Sequence, residues 1–392
     1  MNETERFAWL QLAFTPYVGA ESFLILLRYF GSTQAALDAP AEKIAALVRH
    51  KQAAEAWCNA EKRHLAQKSA EAALKWETQD GCRLMLLQDQ DFPEMLTQGI
   101  TAPPVLFLRG DAGLLHKYSA AIVGSRHATP QAMRIAKDFG RALSEKGIPV
   151  VSGMASGIDT AAHQGALQAG GTIAVWGTGI DRIYPPSNKS LAYEIAEKGL
   201  IVSEFPLDTR PLAGNFPRRN RLIAALSQVT LVVEAALESG SLITAKLAAE
   251  MGREVMAVPG SIDNPHSKGC HKLIKDGAKL VECLDDIVQE CPQLLQNSPL
   301  LPYAIKRDTS ETRKPEPPAT VGRPSENVGT EAGRQAASSP LLDAMGYDPV
   351  HPDTLAQQLQ FPAADVYAEL LELELDGKVA SLAGGRYQRI ET

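Results

Sequence analysis

The sequence is short of positive charge. Its 39 lysines and arginines are outweighed by 46 acidic residues, which leaves a net charge of −7 over 392 residues. A protein that grips nucleic acid usually shows the reverse balance, so any such binding must come from a local patch. Cysteine is scarce: Cys58, Cys82, Cys270, Cys283 and Cys291 include no Cys-x-x-Cys pair. An odd number without that spacing argues against a disulfide framework and against a zinc site, and neutral thiols suit a reducing cytoplasm. No basic-then-apolar leader opens the chain, and no apolar run is long enough to span a bilayer. A cytoplasmic protein without a membrane partner is therefore expected. Two nucleotide signatures are also missing. Gly124-Ser125-Arg126 carries an arginine where the dinucleotide fingerprint needs a second glycine, and there is no Walker A pattern. Neither NAD nor ATP has a dedicated motif, and no cofactor or metal is expected.

What is present is the composition of a globular protein, 45% apolar and 22% charged, long enough for two or three domains. Residues 1–75 read as helices. Phe7, Leu10, Leu12 and Phe14, then Phe23, Leu24, Leu27 and Phe30, recur at helical spacing. One long Ala/Glu/Lys-rich helix is expected around residues 52–75. Pro16-Tyr17-Val18-Gly19 has a helix-hairpin-helix-like look, but Glu21 stands near where that pattern's second glycine belongs, and a plain helical interaction module is the preferred reading.

From residue 83 the period changes. Short apolar strands alternate with helices: Ala120–Val123, Val150–Ser152, Thr172–Trp176, Leu200–Val202, Val229–Val233 and Glu254–Val258 are expected strands. That alternation predicts an α/β fold, a doubly wound parallel sheet over residues 83–290. Ligands of such folds bind outside the C-terminal strand ends. The glycine- and serine-rich turns cluster there: Gly124-Ser125-Arg126, Ser152–Asp159, Gly177-Thr178-Gly179, Ser239-Gly240-Ser241 and Pro259-Gly260-Ser261.

The segment Asn215-Phe216-Pro217-Arg218-Arg219-Asn220-Arg221 is the most informative stretch. Pro217 suits the first position of a helix, whose free N–H groups attract anions. Arginine forks match phosphate oxygens, and Phe216 offers a face on which a nucleobase can stack. Arg126, Arg218, Arg219, Arg221 and Lys246 lie at or just after strand ends, with Arg253 and Lys268 further off. Together they would form a positive groove on an acidic protein, suited to a single strand or a nucleotide. No catalytic residue is expected. Asp159 and His163 have the spacing of a dyad on one helix, but a helix-capping Asp159 and a packed His163 are preferred. Glu204, Glu234 and Glu238 are strand-end carboxylates that would serve as bases or pair with the arginines.

Residues 291–338 are rich in Pro, Ser, Thr, Gly and mixed charge, and a disordered linker is expected. Residues 339–392 read as three helices and a hairpin, a winged-helix-like domain. Its third helix carries Asp365, Glu369, Glu372, Glu374 and Asp376 and no lysine or arginine. Like charges would repel a duplex there, so a protein contact or a regulatory role is expected of it.

In their order along the chain, several of these motifs resemble the signature of the DNA-processing protein DprA (Smf) family: Gly124-Ser125-Arg126, Ser152-Gly153-x-Ala155-x-Gly157-Ile158-Asp159, Phe216-Pro217-x-Arg219-Asn220-Arg221, Ser239-Gly240-Ser241-Leu242-Ile243-Thr244-Ala245 and Val258-Pro259-Gly260. The resemblance covers about residues 83–285. It implies an extended Rossmann-like domain that binds single-stranded DNA without sequence preference, a homodimer, and recruitment of RecA onto incoming strands during natural transformation. Carried over by motif, Arg126 and the segment Phe216–Arg221 would line the DNA groove. Gly240 and Ser241 would form a pocket for a base. Leu273 and Ile274 are the expected dimer or RecA contacts. The loop Pro211-Leu212-Ala213-Gly214 lacks the basic residue that some members place there, so one phosphate contact is in doubt and Arg210 or Arg218 would have to substitute. The competing expectation is a nucleotide-binding or nucleotide-hydrolysing enzyme of a related Rossmann family. The usual Pro-Gly-Gly-x-Gly-Thr loop of those enzymes is absent, and Ser239-Gly240-Ser241 stands in the corresponding kind of place.

Overall fold

The computed structural model describes residues 1–48, 50–297, 340–345, 349–382 and 385–390. The chain divides into two compact units, Met1–Ser298 and Pro299–Thr392.

The first unit opens with six helices: α1 (Glu3–Ala13), α2 (Ala20–Phe30), α3 (Thr33–Leu37), α4 (Ala41–Leu47), α5 (Lys51–Cys58) and α6 (Ala60–Glu77). Their periodic apolar residues turn inward. Leu10, Leu12, Phe23, Leu26 and Ile44 are buried, and the Trp9 and Phe23 rings meet edge-on at 4.8 Å. The single helix expected over residues 52–75 is in fact two. Asn59 divides them because its side chain accepts from the Lys62 N–H at 3.0 Å and so opens a new helix. The helices share a core with the sheet that follows: Phe107 stacks on Phe14 at 6.0 Å and meets Trp76 at 5.4 Å.

The sheet has nine strands: β1 (Cys82–Leu86), β2 (Val105–Gly110), β3 (Ala120–Val123), β4 (Val150–Ser152), β5 (Thr172–Trp176), β6 (Leu200–Ser203), β7 (Val229–Val232), β8 (Glu254–Ala257) and β9 (Lys279–Leu280). Their order is β1-β2-β6-β5-β4-β3-β7-β8-β9. From β6 to β9 every pairing is parallel. The central strands are apolar and wholly buried, as strands covered on both faces must be. β1 and β2 depart from the expected parallel sheet and add on antiparallel at one edge. No crossover helix joins them, only a 3-10 turn at Glu94–Thr97, and an antiparallel return needs none. The crossovers are α7 (Pro130–Glu145), α8 (Ile158–Ala166), α9 (Lys189–Lys198), α10 (Asn215–Ala225), α11 (Gly240–Glu250) and α12 (Lys268–Lys275), followed by α13 (Leu284–Glu290). The chain runs outward from β3 to β6, then crosses back through α10 to start again at β7. The strand order therefore reverses between β3 and β7, which is where a doubly wound fold opens its crevice.

Cys291 and Leu294 are buried beneath α13, and a 3-10 turn runs over Pro292–Asn297. Ordered chain thus continues seven residues into the expected linker; the rest of that linker lies outside the described residues. In the second unit, α14 (Pro340–Met345), α15 (Pro352–Leu359) and α16 (Ala363–Leu375) precede the hairpin β10 (Val379–Leu382) and β11 (Arg386–Arg389). Leu341, Leu355, Val366, Leu370 and Val379 form the core. This is a winged helix. His351 caps α15: its Nδ1 accepts from the Asp353 N–H at 3.3 Å.

Candidate nucleic-acid interface

The loops after β3, β4, β5 and β7 enclose a cleft of about 810 Å³ at the strand-order reversal. Its size lies toward the top of the roughly 300–1,000 Å³ range of ligand sites. Two helices end in it. Ser239 caps α11 by accepting from the Ser241 N–H at 3.3 Å, and α10 opens at Asn215, so Pro217 is the third helical residue and not the first as expected. Proline has no N–H that the first turn would miss.

Of the nine residues expected to bind DNA, six line this cleft: Arg126, Phe216, Arg219, Asn220, Gly240 and Ser241. Arg126 is exposed, and its guanidinium lies 5.4 Å over the Phe216 ring. Phe216 also packs closely on Gly177, where a Cβ would come within 2.9 Å of the ring. Asn220 reaches from α10 to the N-terminus of α11, its Nδ2 donating to the Gly240 carbonyl at 3.4 Å. Gly240 is open, with nothing within 4 Å of a would-be Cβ.

Arg219 occupies the cleft wall differently. It is 4% exposed. Its Nη1 donates to the carbonyls of Gly153 and Val175 and its Nε to Asn220 Oδ1 at 3.1 Å, tying the ends of β4 and β5 to α10. Gly153 leaves the room for it, since a Cβ there would lie 2.6 Å from Nη1. Burial lowers the guanidinium to about 10, with the neighbouring Asp159 carboxylate opposing the shift. It remains charged at neutral pH and serves as a frame residue.

Arg218 and Arg221 do not face the cleft. They line a separate cavity of about 440 Å³ beside Gly19–Ser22 and Ile100. Glu204, whose side chain is 2% exposed, accepts from Arg221 Nη2 and stands 3.5 Å from Arg218 Nε. Arg221 Nη1 also donates to the Thr101 carbonyl at 3.0 Å. Arg218 stays half-exposed, 5.3 Å over the Phe205 ring. Helical phase explains the split: Arg218 and Arg221 are three residues apart and share one face of α10, while Phe216 and Asn220, four apart, share another. Lys246 lies on the outer side of α11, 78% exposed and 3.7 Å from Glu250. It lines a third groove, of about 770 Å³, which also contains Leu273. Ile274 packs on the core below.

The remaining titratable groups are committed to the frame. His163 is fully buried. Its Nδ1 lies 2.7 Å from Thr172 Oγ1, which donates to the Val150 carbonyl, so His163 is the donor to Thr172. Burial, reinforced by the charge of Arg219, lowers it to about 3. Asp159 neither pairs with His163 nor caps α8, whose N-cap is Gly157; it lies inside the helix and accepts from the Ala155 N–H at 3.1 Å, and burial raises its pKa against the pull of Arg219. Glu234 Oε2 accepts from the Thr129 N–H at 2.9 Å, at the start of α7, and burial raises its pKa. Among the described residues no cluster of His, Cys, Asp and Glu could hold a metal, and no helix is long and apolar enough to cross a membrane. Sequence reasoning missed Tyr184, which lines the cleft with its ring centroid 5.6 Å from that of Phe216. The signal for it was an aromatic beside a proline pair, just after the turn Gly177-Thr178-Gly179.

Comparison with known proteins fits this geometry. A family model described as DNA recombination-mediator protein A matches residues 83–292, the stretch that builds the cleft. The chain belongs to that family. Two further models match, the DprA winged helix domain over residues 324–385 and a DprA-like N-terminal HHH domain over residues 3–56. Protein Smf of Escherichia coli strain K12 is 40% identical over 324 residues, 81% of this chain and 80% of the relative. DNA processing protein DprA of Streptococcus pneumoniae is 46% identical over 203 residues, 52% of this chain and 72% of the relative. The X-ray structure of DprA from Streptococcus pneumoniae superposes with a TM-score of 0.63 at 36% identity, covering 73% of this chain and 97% of that one.

The HHH match corrects the plain-module reading of the N-terminal helices. The glycine missing near Glu21 was a poor guide, because Glu21 lies inside α2; the left-handed position of the turn is Tyr17, with a φ of 68°. That conformation is uncommon for a residue with a Cβ; Tyr17 is stacked on His50 at 4.8 Å. The Val18 N–H then closes the turn on the Thr15 carbonyl at 3.1 Å.

Proposed function

We propose that this chain binds single-stranded DNA without sequence preference in the cleft between β3 and β7, and that it acts in the cytoplasm as a recombination mediator that helps load RecA onto incoming DNA during natural transformation. One observation carries the reading: an exposed arginine, Arg126, laid over an aromatic ring, Phe216, at the mouth of a cleft fed by helix N-termini. A guanidinium beside a stacking ring is what a polynucleotide needs, charge for its phosphates and a flat face for its bases. Arg126 takes a phosphate. Phe216 stacks a base. Gly240 and Ser241 let the strand approach the α11 N-terminus. Arg218, half-exposed on the neighbouring face of α10, takes a phosphate of a strand that continues over that helix. Arg219 and Arg221 hold the walls, and Asn220 fixes α11 against α10. Lys246, Leu273 and Ile274 lie on or under the third groove, the surface we assign to a second copy of the chain or to RecA.

The test is titration of a labelled oligothymidine at several salt concentrations. Arg126→Ala should weaken binding about tenfold and flatten the salt slope by about 0.7, the share of one phosphate on a single strand. An unchanged slope would remove Arg126 from the interface. The competing reading, a nucleotide hydrolase, predicts release of free base from nucleoside monophosphates and its loss in Glu234→Ala. The place of Glu234 speaks against it: the residue is 3% exposed and its carboxylate binds the start of α7.

A further inference from the structure

We infer that Tyr184 is a second base-stacking residue, so that the cleft holds two nucleobases side by side; the inference rests on the single-strand reading above. Phe216 by itself is a constrained platform. Its ring packs closely on Gly177 and the Arg126 guanidinium lies over it, so a base reaching Phe216 must share that site with Arg126. Tyr184 is different. It is 44% exposed, a high value for a large aromatic side chain, yet it lines the cleft. Its ring is tilted 39° to that of Phe216. At a centroid separation of 5.6 Å the two rings are too close to admit a base between them, since stacked rings need about 3.5 Å on each side. A base on Tyr184 therefore lies on its outward face, next to the one on Phe216.

Part of the lining is apolar and suits a base. Pro211, Ala213 and Pro217 line the same cleft, and none carries a charged or hydrogen-bonding side chain. Polar lining comes from Ser239, Ser241 and Thr244 on α11 and the loop before it, and charge from Arg126, Arg219 and Glu238. A strand lying in the cleft can thus set its bases on the tyrosine–phenylalanine pair. Stacking on a ring face reads no base edge and accepts any base, in keeping with sequence-independent binding.

The experiment uses the full chain and an oligothymidine of 20 nucleotides. Tyr184→Ala should weaken binding roughly five- to hundredfold, the range for one lost stacking contact, with an unchanged thermal melt. Tyr184→Phe should stay within twofold, because stacking needs the ring and not the hydroxyl. A tryptophan placed by Tyr184→Trp should be quenched when the oligonucleotide binds, whereas one placed by Tyr193→Trp, 52% exposed on α9, should not. Wild-type affinity in Tyr184→Ala, or no quenching in Tyr184→Trp, overturns the inference while leaving the single-strand reading intact if Arg126→Ala still weakens binding. Absence of oligonucleotide binding by the wild-type chain overturns both.

Discussion

Helix α10 and helix α16 each invite the guess that they hold DNA, one by composition and the other by shape, and in each the side chains argue against its simple form. α16 is the third helix of a winged helix, the shape of a groove reader. Its outward residues include Asp365 and Glu372 together with Tyr367, Leu371 and Leu375, the last two 54% and 82% exposed, and the exposed Asp376 follows it. α10 carries three arginines within four positions, the composition of a phosphate clamp. Yet Arg219 is buried on backbone carbonyls and Arg221 is held by Glu204 and Thr101. Neither fold shape nor arginine count carries the proposed binding surface. The proposal rests on charge left uncommitted by the frame, and Arg126 is the clearest case.

The largest expected effect separates frame from contact. Arg219→Ala should lose about 3 kcal/mol or more of stability, because it strands buried carbonyls and leaves Asp159 without its cation. Urea unfolding measures it. Full stability combined with lost DNA binding would make Arg219 a contact after all, and the contrast would fail. A second, somewhat smaller effect comes from His163, buried against the same frame. Its folded pKa of about 3 lies below the unfolded value of roughly 6.5, so the unfolded chain binds the extra proton between the two and stability falls with pH in that window. At pH 5 the loss relative to pH 7 is about 2 kcal/mol. Asp159 and Glu234, with raised values, act in the opposite sense, so the measurement is the difference between the wild type and His163→Asn. A pH-independent difference would place His163 in contact with solvent.

Much of this layout was legible in the sequence. Buried parallel strands read as unbroken apolar runs, and glycine-rich turns at their ends marked the crevice before any coordinates. The phase of α10 was not legible. Which arginine points inward depends on where the helix starts, and Asn215 starts it two residues ahead of the expected Pro217. Nor was the antiparallel edge, because β1 and β2 have the same apolar pattern whichever way they pair. Tyr184 was invisible for a related reason: only the folded loop brings it to Phe216.

Smaller effects sharpen the contrast further. Arg126→Ala should keep its stability to within about 0.5 kcal/mol, as surface substitutions do, while losing about tenfold in oligonucleotide affinity. Charge reversal on the tail, Glu372→Lys with Asp376→Lys, should change single-strand affinity less than about twofold, because the proposed cleft is lined wholly by residues of the first unit. A large gain there would mean that α16 lies on the path of the strand.

Photo-crosslinking of a 5-iododeoxyuridine oligonucleotide to the full chain, followed by peptide mapping, addresses the assignment most directly. Crosslinks should fall in peptides containing Arg126, Tyr184 and Phe216. Crosslinks confined to the peptide Ala363–Leu375 would contradict the account.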